Sequence, residues 1–117
     1  MANDIPPQLV GLPKRDDDRC ISLIGMAGAG KSTVGRELAG LLDWQQVDTD
    51  HFLEAYFGAP LQAVLENLGL EAFRQAEDKA VRDLAVKRCV ISTGGSVIYG
   101  EKAMTQLKKL GPVVYLK

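Results

Sequence analysis

The segment Gly25-Met26-Ala27-Gly28-Ala29-Gly30-Lys31-Ser32 constrains this chain more than any other, because it sets a glycine-rich turn, a lysine and a serine at fixed spacing. Just before it, Cys20-Ile21-Ser22-Leu23-Ile24 is a short apolar run of the kind a buried parallel strand requires. Just after it, Val34, Leu38, Leu41 and Leu42 recur at i, i+4, i+7 and i+8, which predicts a helix carrying all four on one face. Strand, glycine loop and helix together are the context of the P-loop pattern: glycine, four residues, glycine, lysine, then serine or threonine. Glycines let the backbone approach closely, so successive N–H groups can turn inward on an anion. The helix start adds unsatisfied N–H groups and the positive end of its dipole. Lys31 contributes a point charge, and the Ser32 hydroxyl is suited to a position on Mg²⁺. The segment therefore reads as a site for a nucleotide's phosphates.

The rest of the chain alternates strands with helices. A second strand is expected at Trp44 to Val47, ending at Asp48-Thr49-Asp50, then two short helices over His51 to Phe57 and Leu61 to Leu68, separated by Gly58 and Pro60. A longer helix follows Gly69, with Phe73, Ala80, Val81 and Leu84 on one face and Arg74, Glu77 and Asp78 projecting elsewhere. Cys89 to Ser92 reads as a third strand stopping at Gly94-Gly95, and after Gly100 come a helix to Leu110 and a fourth strand, Val113 to Leu116. Such alternation implies an α/β fold: a mostly parallel sheet, right-handed crossovers and helices on both faces, in three layers.

Composition sets the outer limits. At 117 residues, 46% hydrophobic and 25% charged, the chain suits one ordinary globular domain. Fourteen basic against fifteen acidic residues leave a net charge of −1, which supplies no global field for nucleic acid. Met1 to Asp18, with Pro6, Pro7, Pro13 and the charged run from Lys14, reads as a mobile leader to a domain at 19–117. No apolar stretch approaches the ~18 residues of a membrane span and no signal-peptide pattern opens the chain, so a cytoplasmic protein without membrane contact is expected. Cys20 and Cys89 lie far apart in sequence, each opening an apolar run, and read as reduced, buried packing residues.

Asp48 and Asp50 have Thr49 between them, so in extended geometry their carboxylates would share one side. Such a pair suits phosphoryl transfer to a hydroxyl, one acid supporting Mg²⁺ and the other orienting the acceptor and receiving its proton. The competing reading makes Asp50 the N-cap of a helix starting at His51. His51 itself would point away from the pair and is read as a surface residue.

The joint order of these motifs resembles the shikimate kinase family. Gly25-x-x-Gly28-x-Gly30-Lys31-Ser32-Thr33, Asp48-Thr49-Asp50, Phe73-Arg74 with Glu77, and Thr93-Gly94-Gly95-Ser96-Val97 follow in the family's sequence; Asp50 comes 19 residues after Lys31 and Arg74 another 24 on. The resemblance implies a P-loop NTPase-like fold and transfer of the γ-phosphate of ATP to a hydroxyl of shikimate or a similar hydroxy acid. It implies that Gly28, Ala29, Gly30, Lys31, Ser32 and Thr33 hold the nucleotide, with Lys31 on the transferred phosphate. Ser32 would bind Mg²⁺ and Asp48 would support it through water. Asp50 would be the base, Arg74 would grip the acceptor's carboxylate with its planar fork, and Gly94 and Gly95 would bring backbone amides to acceptor and phosphate.

Three departures accompany the match. The family's run of three glycines is here two followed by Ser96, and Leu70 stands where an acidic residue is customary after Gly69. The family also continues into an arginine-bearing lid, a second acceptor-binding arginine, a fifth strand and an adenine-contacting loop. The resemblance covers Arg19 to Lys117, about two-thirds of a complete member, with four strands present and the fifth strand and lid missing. The fourth strand is then expected as an unpaired edge. Two other functions stay open: a nucleotide-binding module without kinase activity, and a related P-loop kinase with another acceptor such as gluconate.

Overall fold

The computed structural model describes residues 18–25, 30–95, 97 and 100–116. Apart from Asp18, the expected leader lies outside them. In chain order the elements are β1 (Ile21–Gly25), α1 (Lys31–Leu42), β2 (Gln45–Asp48), α2 (Thr49–Phe57), α3 (Leu61–Leu68), α4 (Leu70–Arg82), β3 (Cys89–Ser92), α5 (Glu101–Leu110) and β4 (Val113–Leu116). The strands form one sheet in the order β2-β3-β1-β4, and every pairing is parallel. Each connection between strands contains a helix, as parallel neighbours require.

Strand alternation sends the core to two faces. On one, Cys20, Ile24, Cys89 and Ile91 pack with Val81, Val97, Ala103 and Leu107, under α4 and α5. On the other, Leu23 and Val90 meet Ala39, flanked by Ile21, Leu38, Trp44 and Leu116, under α1. β3 is buried at all four positions, which is why its sequence is a continuous apolar run with only Ser92 at the end. β4 pairs with β1 alone and stands at the sheet's edge among the described residues, with Val114 and Tyr115 exposed.

Two helix faces differ from expectation. α1 buries Gly35 and Ala39; of the expected apolar line only Leu38 packs against the core, while Val34 and Leu42 are exposed and Leu41 is 85% exposed. The helix lies too close to the sheet for large side chains: a Cβ on Gly35 would stand 2.6 Å from the Ser92 hydroxyl and 2.8 Å from Gln46 Nε2. In α4 the buried residues are Phe73, Glu77 and Val81. Glu77 does not project away; four residues from each apolar neighbour, it shares their face and is only 6% exposed. No helix among the described residues is long and apolar enough to cross a membrane.

Candidate active site

The carboxyl ends of β1, β2 and β3 converge, and the first turns of α1 and α2 start there. Gly30, left-handed at φ 81, turns the chain into α1. Ser92 Oγ donates to Lys31 O at 3.2 Å and Gln46 Nε2 donates to Ser32 O at 3.0 Å, so β3 and β2 clamp the helix's first turn. Lys31 Nζ donates to Gly25 O at 2.7 Å, reaching back across the loop to the end of β1. Met26 to Ala29 lie outside the described residues, and with them the expected amide cradle and the Gly28 and Ala29 contacts.

The two acids meet by a different route from the extended pair that alternation suggests. Asp48 is the last strand residue, with φ −112 and ψ 113, and caps α2 by accepting from Asp50 N at 2.9 Å and His51 N at 3.3 Å. Asp50 already lies in the helix, so Asp48, not Asp50, is the N-cap. Thr49 turns inward and donates to Ser92 O at 3.4 Å. Helix capping, rather than strand alternation, brings the carboxylates together. The other Asp48 oxygen accepts from Ser32 Oγ at 2.8 Å. His51 is an exposed residue 3.9 Å from Asp48.

Asp50 sits deeper. Burial, then the nearby charge of Asp48, push its carboxyl above the ordinary aspartate range, opposed by Lys31 and His51 and assisted by Glu54. Its Oδ1 is buried with no hydrogen-bond partner among the described residues. Close to that oxygen runs Gly94, whose missing side chain is required: a Cβ there would collide with the Glu77 carboxylate and lie 3.0 Å from Asp50 Oδ1. The Cβ side of Gly94 thus faces both acids, the buried Glu77 and the partly buried Asp50. Glu77 and Arg74, the latter exposed, line an open cleft of about 640 Å³ between α4 and α5. Gly95 is half-buried beside Gly94, and Ser96 lies outside the described residues.

Among the described residues no group of three or more His, Cys, Asp or Glu could hold a metal unaided. Ser32 and Asp48 nevertheless place two hard oxygen donors side by side. Mg²⁺ takes one or two protein oxygens and completes its shell with water and phosphate oxygens, so this pair fits it. A lysine folded back over the loop, two adjacent hard oxygen donors and a partly buried carboxylate with one unpartnered oxygen, gathered in one strand-end crevice, suit phosphoryl transfer.

The sequence profile of the shikimate kinase family matches residues 27–117. The chain belongs to the shikimate kinase family. A shikimate kinase of Mannheimia succiniciproducens is 37% identical over 102 residues, covering 86% of this chain and 58% of that protein. One from Aeromonas salmonicida is 41% identical over 102 residues, 86% of this chain and 59% of that protein. The chain therefore spans less than two-thirds of these relatives. Among solved structures, shikimate kinase from Acinetobacter baumannii in complex with shikimate superposes with a TM-score of 0.79 at 40% identity, covering 84% of this chain and 55% of that one. The shikimate kinase of Aquifex aeolicus gives 0.75 at 33% identity, over 84% of this chain and 63% of that one. The parallel α/β sheet, with five helices among the described residues, thus has the shikimate kinase fold.

Within that family frame, two features of the crevice were hidden from sequence reading. Glu77 was named in the motif, yet its burial against Gly94 was not foreseen; its spacing of four from Phe73 and Val81 was the available signal. Ser92 and Gln46 clamp α1, but nothing in their local sequence marks them, since their partners lie 61 and 14 residues away.

Proposed function

We propose that this chain carries the ATP-binding and acceptor-binding parts of a kinase that phosphorylates a hydroxyl of shikimate. The observation that carries this reading is the Asp50 carboxyl: partly buried, missing a partner for its buried Oδ1, and held above its ordinary proton affinity beside Lys31 and Gly94. A group in that state suits a general base, which works best when its pKa moves toward the operating pH. The acceptor's hydroxyl oxygen forms a bond to the γ-phosphorus of ATP while the bond to the β–γ bridging oxygen breaks. The hydroxyl proton goes to Asp50, and ADP leaves.

Lys31 faces the transferred phosphate, with Gly28, Ala29, Gly30 and Thr33 around the nucleotide. Ser32 and Asp48 are the residues for Mg²⁺, which when bound neutralises charge on the phosphates. Arg74 pairs with the acceptor's carboxylate, and the amides of Gly94 and Gly95 orient the acceptor against Asp50. Glu77 packs against Gly94 on the same side as Asp50 and keeps that backbone close to the acid. A small hydroxy carboxylate is the partner this arrangement suits.

The test is acceptor-dependent ADP release by the protein carrying this segment, assayed over a panel of hydroxy acids. Shikimate is expected to be the turned-over acceptor, and Asp50→Asn to lower kcat by about 10²- to 10⁴-fold, the usual range for loss of a general base. Lys31→Ala is the inactive control. Unchanged turnover in Asp50→Asn would remove the base assignment. Turnover of gluconate but not shikimate would reassign the acceptor, and binding of ATP·Mg²⁺ without any acceptor affinity would leave a nucleotide-binding module.

A further inference from the structure

The two cysteines are 69 positions apart in sequence, yet the sheet sets them side by side. β1 and β3 are adjacent and parallel with Ile21 opposite Val90, and continuing that register one step toward both amino ends places Cys20 beside Cys89. Both side chains lie on one sheet face, in the same apolar cluster. Adjacent strands run about 4.8 Å apart, inside the ~4.4–6.8 Å between Cα atoms that a disulfide spans. Cys20 Sγ donates to Val86 O at 3.4 Å and Cys89 Sγ to Lys87 O at 3.2 Å, so the two sulfurs rest on consecutive peptide groups of one turn. Burial, and then the neighbouring Cys20, push the Cys89 thiol above its ordinary range, which keeps Cys89 protonated and slow to react.

We propose that Cys20 and Cys89 are a redox-responsive dithiol that closes to an intrachain disulfide between β1 and β3 when a small disulfide oxidant is present. Cys89, 7% exposed against 0% for Cys20, meets the oxidant first. Its thiolate attacks one sulfur of the oxidant, forming a mixed disulfide and releasing one thiol. The Cys20 thiolate then attacks the Cys89 sulfur, releasing the second thiol; both cysteine protons end on the two thiols released. Closure gives up two weak S–H hydrogen bonds. The closed bridge encloses the whole stretch bearing Lys31, Asp48, Asp50 and Arg74 and narrows the unfolded ensemble of that stretch. The proposal stands independently of the kinase reading, since none of its residues touches the crevice.

The test is incubation of the folded chain with oxidised glutathione, followed by intact mass and a non-reduced tryptic map. Arg19 and Arg88 precede the two cysteines, so trypsin releases them in separate peptides. The expected product is a monomer lighter by two hydrogens, in which those peptides are linked, with a higher urea midpoint than the reduced chain and full reversal by dithiothreitol. Cys20→Ser is expected to stop at a glutathione adduct on Cys89. Adducts on both cysteines without a bridge, bridges between chains only, or resistance of the folded chain while the urea-unfolded chain oxidises readily would each overturn the proposal.

Discussion

Asp50 shows how a single residue trades stability for chemistry. A carboxyl whose folded pKa is raised prefers its neutral form in the fold, so its contribution is best below the ordinary aspartate value of about 3.9 and is lost as pH rises through the raised folded value. Above that folded value the ionised, half-satisfied carboxylate works against folding. Asp50→Asn is therefore expected to raise the thermal midpoint at pH 7 while slowing turnover, the gain disappearing below pH ~3.9; a melting series across pH checks it. Gly94 makes the opposite point. Gly94→Ala inserts a methyl group against the Glu77 carboxylate and Asp50 Oδ1, and a cost of about 1–3 kcal/mol is expected from overpacking. Urea unfolding measures that cost. A double-mutant cycle with Glu77→Ala is expected to show coupling, since the two residues are in contact.

At the scale of elements, α2 depends on its first residue outside the helix. Asp48 satisfies two N–H groups at the helix start while its other oxygen accepts from Ser32. Asp48→Ala is expected to cost about 0.5–2 kcal/mol through the lost cap. Asp48→Asn retains a capping oxygen, so it is expected to keep most of that stability yet weaken Mg²⁺-dependent nucleotide binding. Denaturant midpoints compared with ATP titrations in the presence and absence of Mg²⁺ separate the two roles. Equal loss of stability in both variants would show that the carboxylate's charge, not the cap, supports α2. α1 is built on the converse principle: it sits close to the sheet because Gly35 and Ala39 leave room, and its exposed leucine side is the consequence.

For the whole molecule, protection follows position in the sheet. β3 is hydrogen-bonded on both sides and buried throughout, whereas β4 bonds only to β1 and leaves Val114 and Tyr115 exposed. Amide hydrogen exchange is expected to be slowest in β3 and appreciably faster in β4, because edge pairing opens at lower free energy than core pairing. Peptide-resolved exchange by mass spectrometry tests this, and equal protection would mean that another surface covers the β4 edge.

The sequence alone determined the elements and their order. Four short strand segments, the first three each followed by glycine or acid and then a helical period, implied a parallel α/β sheet. The spacing from Lys31 through Asp50 to Arg74 named the family, since local periodicity and backbone chemistry need only neighbouring residues. Only the tertiary structure decided which helix faces are inside, because approach distance rather than hydrophobicity selects Gly35 and Ala39 over Leu41, and the missing side chain of Gly94 leaves room for Glu77. It also decided that Asp48 and Asp50 meet through a helix cap, and that two remote cysteines become neighbours: strand order and register are collective properties of the sheet, set by pairing across many residues of intervening chain.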